Sequence, residues 1–572
     1  MFENYCTLKL YFSLILLLFI TTVNAQAPYP KNYFSNPLKI PVVLAGTFGE
    51  LRSNHFHSGV DIKTQGKEGI PIYAPANGYV SRIKVQQYGF GKALYITHPN
   101  GYTTVYAHLM SFEPKIQKYV KDIQYKKEDY NTGNLFLSSD KFPVKKGQLI
   151  GYTGDTGSSG GPHLHYEIRD TETEKIINPM HFGLTAHDDT PPTIQKLMAY
   201  PLSDDARINN SSLESIVSFK NNSNGNYVAE KIIASGTIGF GISVFDRLNG
   251  AYNKNGIYSL EMKVNGKRVY YHDVETFSFA ESKYINLLID YKHYKKYKNR
   301  LQKTHKVAAN RLSLYEDLIN NGKIHIENGA NYNIEIIAKD FEDNTSKIRI
   351  PVQGVKSNLV FKEKDTTDYK ITATEFNKFH QKNVTVAFPK NTFYTDCFID
   401  FKVENGTAKI HEPTIPLDKR YTLTFETSFL SEDQKQHVYI ANVTNPKYPR
   451  YTSTKKKIDK VYTTTKVLGS YALRFDSKKP TIQLYNFSDN QWISKNKTLK
   501  VKIKDAETGI KNYRATINGQ WILMELNHKK GILTYDFSDK KLEGSKHLFK
   551  IVVSDNVGNT ETVSATFFKK VN

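Results

Sequence analysis

Cysteine is almost missing from this chain: of 572 residues only Cys6 and Cys397 carry a thiol. Cys6 lies in the leading segment, so the rest keeps one cysteine and no internal disulfide, and its folded parts must be held by their cores. Long apolar runs are missing too. After the leading segment no stretch approaches the roughly 20 apolar residues that cross a bilayer, which excludes a later membrane span. Tryptophan is scarce (2), whereas Tyr (38) and Phe (32) are abundant and Thr, Val and Ile recur, a composition that leans to β structure. Acids are in deficit, and the net charge is +22. Such a surface is attracted to anionic polymers or lipid surfaces, with simple solubility an equal reading. Glycines gather at Gly151, Gly154, Gly157, Gly160 and Gly161, but no Lys-Ser/Thr follows them, so a phosphate-cradling loop is excluded.

What is present starts with a signal. Lys9 precedes "LYFSLILLLFITTV", and Val23 and Ala25 are the small residues of a cleavage site. A signal peptide over 1–25 is expected, and with it export; nucleic acid is then not an expected partner. Glu3 and Lys9 cancel, so the net charge survives cleavage. Residues 36–187 are dense in Gly turns and short β-like runs, which predicts antiparallel strands and hairpins. The paired prolines of "DDTPPTIQ" end that region. Three β-rich segments follow, 191–355, 356–478 and 479–572. The first and last use one strand-turn-strand device, "AKDFEDNTS" and "SDNVGNTET", and resemble bacterial immunoglobulin-like β-sandwich modules. Within the first, eight Lys/Arg lie between Lys292 and Arg311 with no acid among them, beside Tyr291, Tyr294 and Tyr297. This is a solvated loop or helix by preference, and a strip for an anionic polymer as the rival reading.

The chemistry gathers before Pro191. In "GPHLHYE", His163 and His165 stand two apart, and in a strand both imidazoles project from one face with Leu164 on the other. In "HFHSGVDI", His57 precedes Asp61 by four residues, with Gly59 arguing for a bend. Zinc takes His nitrogen and carboxylate oxygen, and a catalytic zinc site keeps one position open. His57, Asp61 and one of the later histidines would supply three ligands. His55 competes with His57 but lacks an acid four residues on. His108 ends another β-like run, "YAHL"; Glu167 is either an outer partner of a ligand or a structural residue, and His98 reads as structural.

"HSGVDI", "YAHL" and "GPHLHYE", in this order and with "GIPIYAPANGYV" and "VKKGQLIGYTGDTG" between them, resemble the lysostaphin/LytM-type zinc metallopeptidases over about residues 45–180. The resemblance implies a mostly β, antiparallel peptidase domain that binds one Zn2+ and cuts peptidoglycan peptides. It implies His57, Asp61 and His165 as metal ligands, and His163 and His108 as the catalytic pair that orients the nucleophile and serves the leaving amine. The setting implied is the cell envelope, by preference the periplasm, with the β modules free to engage an envelope protein. The alternative is a catalytically restrained relative that regulates another cell-wall hydrolase. One departure is an insertion over 109–146, expected to form a wall or flap beside the cleft. The catalytic region is expected to hold its own core, with the residues after about 190 localising or restraining it.

Overall fold

A computed structural model describes residues 29–223, 225–356 and 366–570, so the expected signal segment lies outside the described residues. The chain is mostly β. In the catalytic region the short alternating runs become one antiparallel sheet. Its path runs Leu44–Gly46, Val60–Lys63, His163–Asp170, Tyr102–Ala107, Lys92–Thr97, Gly78–Val85 and Gly133–Phe136. Val60, Ile62, Leu94, Ile96, Leu164 and Ile168 point to one buried core, as a period of two requires. The register matters more than the order. His165 lies opposite Asp61 on one side and opposite Ala107 on the other, so three motifs far apart in sequence meet at one level of the sheet.

The 109–146 insertion, expected as a wall or flap, is packed as a fixed ledge, and its Met110 and Tyr130 line a pocket with Asp155, Thr156 and Gly157. It forms the helix Pro114–Lys127, capped by the Glu113 carboxylate on Ile116 N, and then adds the edge strand Gly133–Phe136. Ile116 and Val120 bury into the catalytic core. The helix's outer side is a ledge that carries the last β module. Lys121 pairs with Asp539, the Tyr125 ring lies 5.3 Å from Trp521, and Glu128 meets Arg514 at 2.5 Å.

In the first tail segment the long strand Ile232–Phe245 runs antiparallel to Thr193–Pro201, pairs in parallel with Thr345–Gly354 near its start, and takes three shorter antiparallel partners besides. The basic strip contains a short helix, Tyr291–Tyr297, capped by Asp290, and beyond it Leu301, Gln302, Thr304 and His305 are buried, so only part of the strip is the solvated helix or loop of the preferred reading. The middle and last segments each pack two sheets face to face around a separate core, the first centred on Val386, Val403 and Ile440 and the second on Val501, Tyr535 and Ile551.

The catalytic region does not hold its core alone. Leu248, Val274, Phe277, Ile285, Leu288 and Leu314, all beyond Pro191, bury into it. Phe277 lies 4.9 Å from Phe48 and 5.3 Å from Phe56, and its strand pairs with Ile176–Ile177. Proline punctuation marks where the chain turns, but apolar area decides where a core ends, and here it runs across the turn.

Candidate active site

The strand His163–Asp170 is the spine of the site. His163, His165, Glu167 and Arg169 form one polar file on one face, while Leu164, Tyr166 and Ile168 fill the core behind them. The neighbouring strand brings Asp61, and the turn before it brings His57. Gly59 is required in that turn because a Cβ there would lie 2.4 Å from the Tyr166 carbonyl oxygen.

His57 Nε2 lies 3.0 Å from Asp61 Oδ1 and 3.1 Å from His165 Nδ1, and His165 Nδ1 lies 2.9 Å from Asp61 Oδ1. All three side chains are buried. Each is fixed from behind. His57 Nδ1 donates to the Thr47 carbonyl at 2.8 Å, and His165 Nε2 donates to Glu167 Oε1 at 2.9 Å. Those two bonds set the tautomers and leave two imidazole lone pairs facing each other beside a carboxylate oxygen. Without a metal ion or a bound proton between them that arrangement is repulsive. A tetrahedral zinc with bonds of ~2.0–2.1 Å separates its ligand atoms by about 3.3 Å, close to the three separations found. The donor set therefore fits zinc.

The electrostatics agree. Burial penalises the Asp61 carboxylate, but His57, His163 and His165 together hold its pKa well below the ordinary carboxylate value. Its second oxygen, Oδ2, accepts from Arg52 at 2.9 Å, which leaves Oδ1 for the cluster. Glu167 is also buried, yet Arg169 and His165 bring it down to about 2, and Arg169 Nε reaches Glu167 Oε2 at 2.7 Å. For His165 burial disfavours the charge, and hydrogen bonds to Asp61 and Glu167 outweigh it, raising the group to about 9 when no metal is present.

Two further imidazoles flank the cluster. His163 is tethered by Nδ1 to the Gly161 carbonyl at 2.8 Å, and its Nε2 comes within 3.3 Å of Asp61 Oδ1. His108 is tethered by Nδ1 to the Thr156 carbonyl at 2.9 Å, and its ring centre lies 5.0 Å from that of His163. Its backbone sits in the left-handed region at φ 62°, a conformation that non-glycine residues keep mainly where surrounding structure imposes it. Burial first, and then His165 and His163, push His108 down to about 3. Its free Nε2 is an acceptor. The glycine turn that precedes the spine packs closely as well: Gly157, at φ 71°, has no room for a Cβ against the Gly89 carbonyl.

All five residues singled out by motif thus stand around one point. His55 does not join them; its Nδ1 is taken by the Ser53 carbonyl. His98 is structural, bound to the Asn77 carbonyl and Thr104. Glu167 stands behind His165, one of the candidate ligands. Sequence reasoning missed Arg52, Arg169, Thr47 and Thr156. The period of two that paired His163 with His165 would also have reached Arg169; the two carbonyls leave no side-chain signal at all. The last β module reaches the rim of the cleft, where Glu525 pairs with Lys92 at 2.8 Å and Lys529 with Asp155 at 2.6 Å, next to the residue that tethers His108.

Comparison with known proteins finds a peptidase family over the same region. The sequence model of Peptidase family M23 matches residues 55–125 and 130–179, and a Zu5-like domain model matches residues 368–476. The chain is 34% identical over 134 residues to the DD-carboxypeptidase/endopeptidase Mpg of Neisseria meningitidis, covering 23% of this chain and 24% of that protein. It is 34% identical over 113 residues to the peptidoglycan DD-endopeptidase ShyC of Vibrio cholerae (20% of this chain, 19% of that one). It is 26% identical over 145 residues to the cell division protein DipM of Caulobacter vibrioides (25% and 19%). The chain thus spans about a quarter or less of the length of these relatives.

Proposed function

We propose that this chain, which carries a Peptidase family M23 domain over residues 55–179, is an exported zinc-dependent endopeptidase that hydrolyses amide bonds in peptidoglycan stem peptides or their cross-links. The observation that carries the reading is the convergence of two imidazole lone pairs and one carboxylate oxygen at 2.9–3.1 Å, with two tethered histidines beside them. His57, Asp61 and His165 would hold the metal, which supplies a Lewis acid for the scissile carbonyl and an activated water. The rest falls to the protein. Thr47, Glu167 and Arg52 keep the ligands in register and in the right protonation state. His163 Nε2 and His108 Nε2 accept a hydrogen bond or a proton from the attacking water, stabilise the tetrahedral oxyanion when protonated, and return a proton to the leaving amine. The cell envelope, by preference the periplasm, is the proposed place of action. Among the described residues no helix is long and apolar enough to cross a membrane. The β modules are proposed to localise the enzyme and to offer an envelope protein a surface.

The test is digestion of purified sacculi with the full chain after signal removal, loaded with zinc, and identification of the fragments released. Release of stem-peptide or cross-link cleavage products supports the reading. A zinc-loaded protein that releases nothing would favour a second reading, a restrained factor that regulates another hydrolase. That reading draws on the contacts of Glu525 and Lys529 at the cleft rim and on the likeness to a cell division protein.

A further inference from the structure

A second group of chelating side chains lies at the seam between the catalytic region and the first tail segment. Asp188, Asp246 and Asp340 bring carboxylate oxygens within 4.8 Å of one another. They come from three places: the linker before Thr193–Pro201, the end of Ile232–Phe245, and the end of Asn331–Lys339. Asp246 is 2% exposed and Asp340 is 4% exposed. Among the described residues no lysine or arginine forms an ion pair with any of the three. Asn344 satisfies part of Asp340, with N–H to Oδ1 at 2.9 Å and Nδ2 to Oδ2 at 2.9 Å. Asp246 Oδ1 is buried and accepts nothing. Beside it is a cavity of about 20 Å³ whose lining includes all three aspartates together with Thr47 and Asn178 of the catalytic region. That exceeds the roughly 10–15 Å³ needed by a guest of water size.

Two buried acids and a half-buried third with no basic partner are costly unless they keep protons or meet a cation. The cost is visible in their protonation. Burial, with Asp188 and Asp340 as neighbours, pushes Asp246 up to about 8; burial pushes Asp340 up to about 6 and raises Asp188 as well. The last β module offers an internal contrast. Asp476, Asp505 and Asp555 occupy the equivalent three places, and "PTIQ" follows Asp476 as it follows Asp188. There the acids are satisfied. Asp505 Oδ2 accepts from the N–H groups of Glu507, Thr508 and Gly509, Asp555 Oδ1 accepts from Val557, Gly558 and Asn559, and Thr508 donates to Asp476. The first cluster has an orphan oxygen and a cavity where the last has backbone donors.

We propose that Asp188, Asp246 and Asp340 bind one divalent cation, calcium in preference to magnesium, and so lock the first tail segment onto the catalytic region. All-oxygen donors select a hard cation, and carboxylates from three separate loops suit the irregular coordination of calcium better than the strict octahedron of magnesium. The lock would act close to the catalytic centre. Thr47, which lines this cavity, gives its carbonyl to His57 and hydrogen-bonds Gly256 through its side chain.

The test is equilibrium dialysis of the full zinc-loaded chain against millimolar calcium or magnesium chloride, with bound metals counted by mass spectrometry and the melting temperature followed. The expected result is one retained calcium, a melting temperature that rises with calcium concentration, and weaker retention of magnesium. Asp246→Asn and, separately, Asp340→Asn should lower calcium affinity at least ten-fold with zinc content unchanged, and Asp505→Asn should keep the calcium. Failure of the wild-type chain to retain calcium and to gain stability from it would overturn the proposal, with shared protons then holding the cluster. So would magnesium retained as tightly as calcium, or Asp340→Asn binding calcium like the wild type. The wild-type measurement decides even if one variant does not fold.

Discussion

The zinc-fitting triad and the aspartate triad lie on either side of Thr47, and they differ in what stands behind each ligand. Behind His57, His165 and Asp61 are a carbonyl, a carboxylate and a guanidinium, which fix tautomer, charge and orientation. Behind Asp246 Oδ1 there is nothing but a cavity. Mixed nitrogen and oxygen donors with rigid outer partners, flanked by tethered histidines, suit a metal that works on substrate. Oxygen donors alone, drawn from three loops of a seam, suit a metal that joins parts. Where a chelating group keeps its proton-setting partners, it is prepared for chemistry; where it lacks them, the cation itself completes the fold.

This contrast can be broken most strongly at the first triad. His165→Ala or Asp61→Ala should abolish zinc retention and lower cleavage of cell-wall fragments by at least about 10³-fold, leaving little beyond acid–base help and binding. Zinc content and fragment release measure it; full zinc with full activity would misplace the site. Next in size, His163→Ala should keep zinc and lose turnover by ~10²–10⁴-fold. Equal zinc loss in His163→Ala and His165→Ala would remove the distinction between ligand and catalytic neighbour. Glu167→Gln should weaken zinc binding by ~10–100-fold, because the amide no longer holds the His165 tautomer by charge; competition with a chromophoric chelator reads it. An unchanged affinity would show that the outer partner is only structural. Smallest, Asp505→Asn in the last module should lower stability by about 1–2 kcal/mol through weakened bonds to three backbone N–H groups. That loss should be the same with and without calcium in thermal or urea unfolding, whereas a calcium-dependent loss would make the two aspartate clusters alike.

The candidate site was legible because its residues obey local rules. A period of two put His163 and His165 on one face, and the bend at Gly59 put His57 with Asp61. The motif resemblance supplied the order of the ligands and added His108. For the insertion the choice between wall and flap was left open because its exposed face has no local signal of what covers it; Trp521 and Asp539, about four hundred residues further on, decide that it is a ledge. The catalytic core was drawn too short for the same reason. Nothing near Phe277 in sequence says that its ring meets Phe48 and Phe56.

By itself the sequence determined the β character and the strand faces through side-chain alternation, and through short-range spacing it put His163 beside His165 and His57 beside Asp61; His108 and the choice of His165 as the third candidate ligand came from the motif resemblance. Tertiary structure alone decided the register that sets His165 between Asp61 and Ala107, the carbonyls of Thr47 and Thr156 that fix two imidazoles, and the meeting of Asp188, Asp246 and Asp340. Backbone acceptors look alike at every residue, and carboxylates so distant in sequence share no pattern until burial forces them around one cavity.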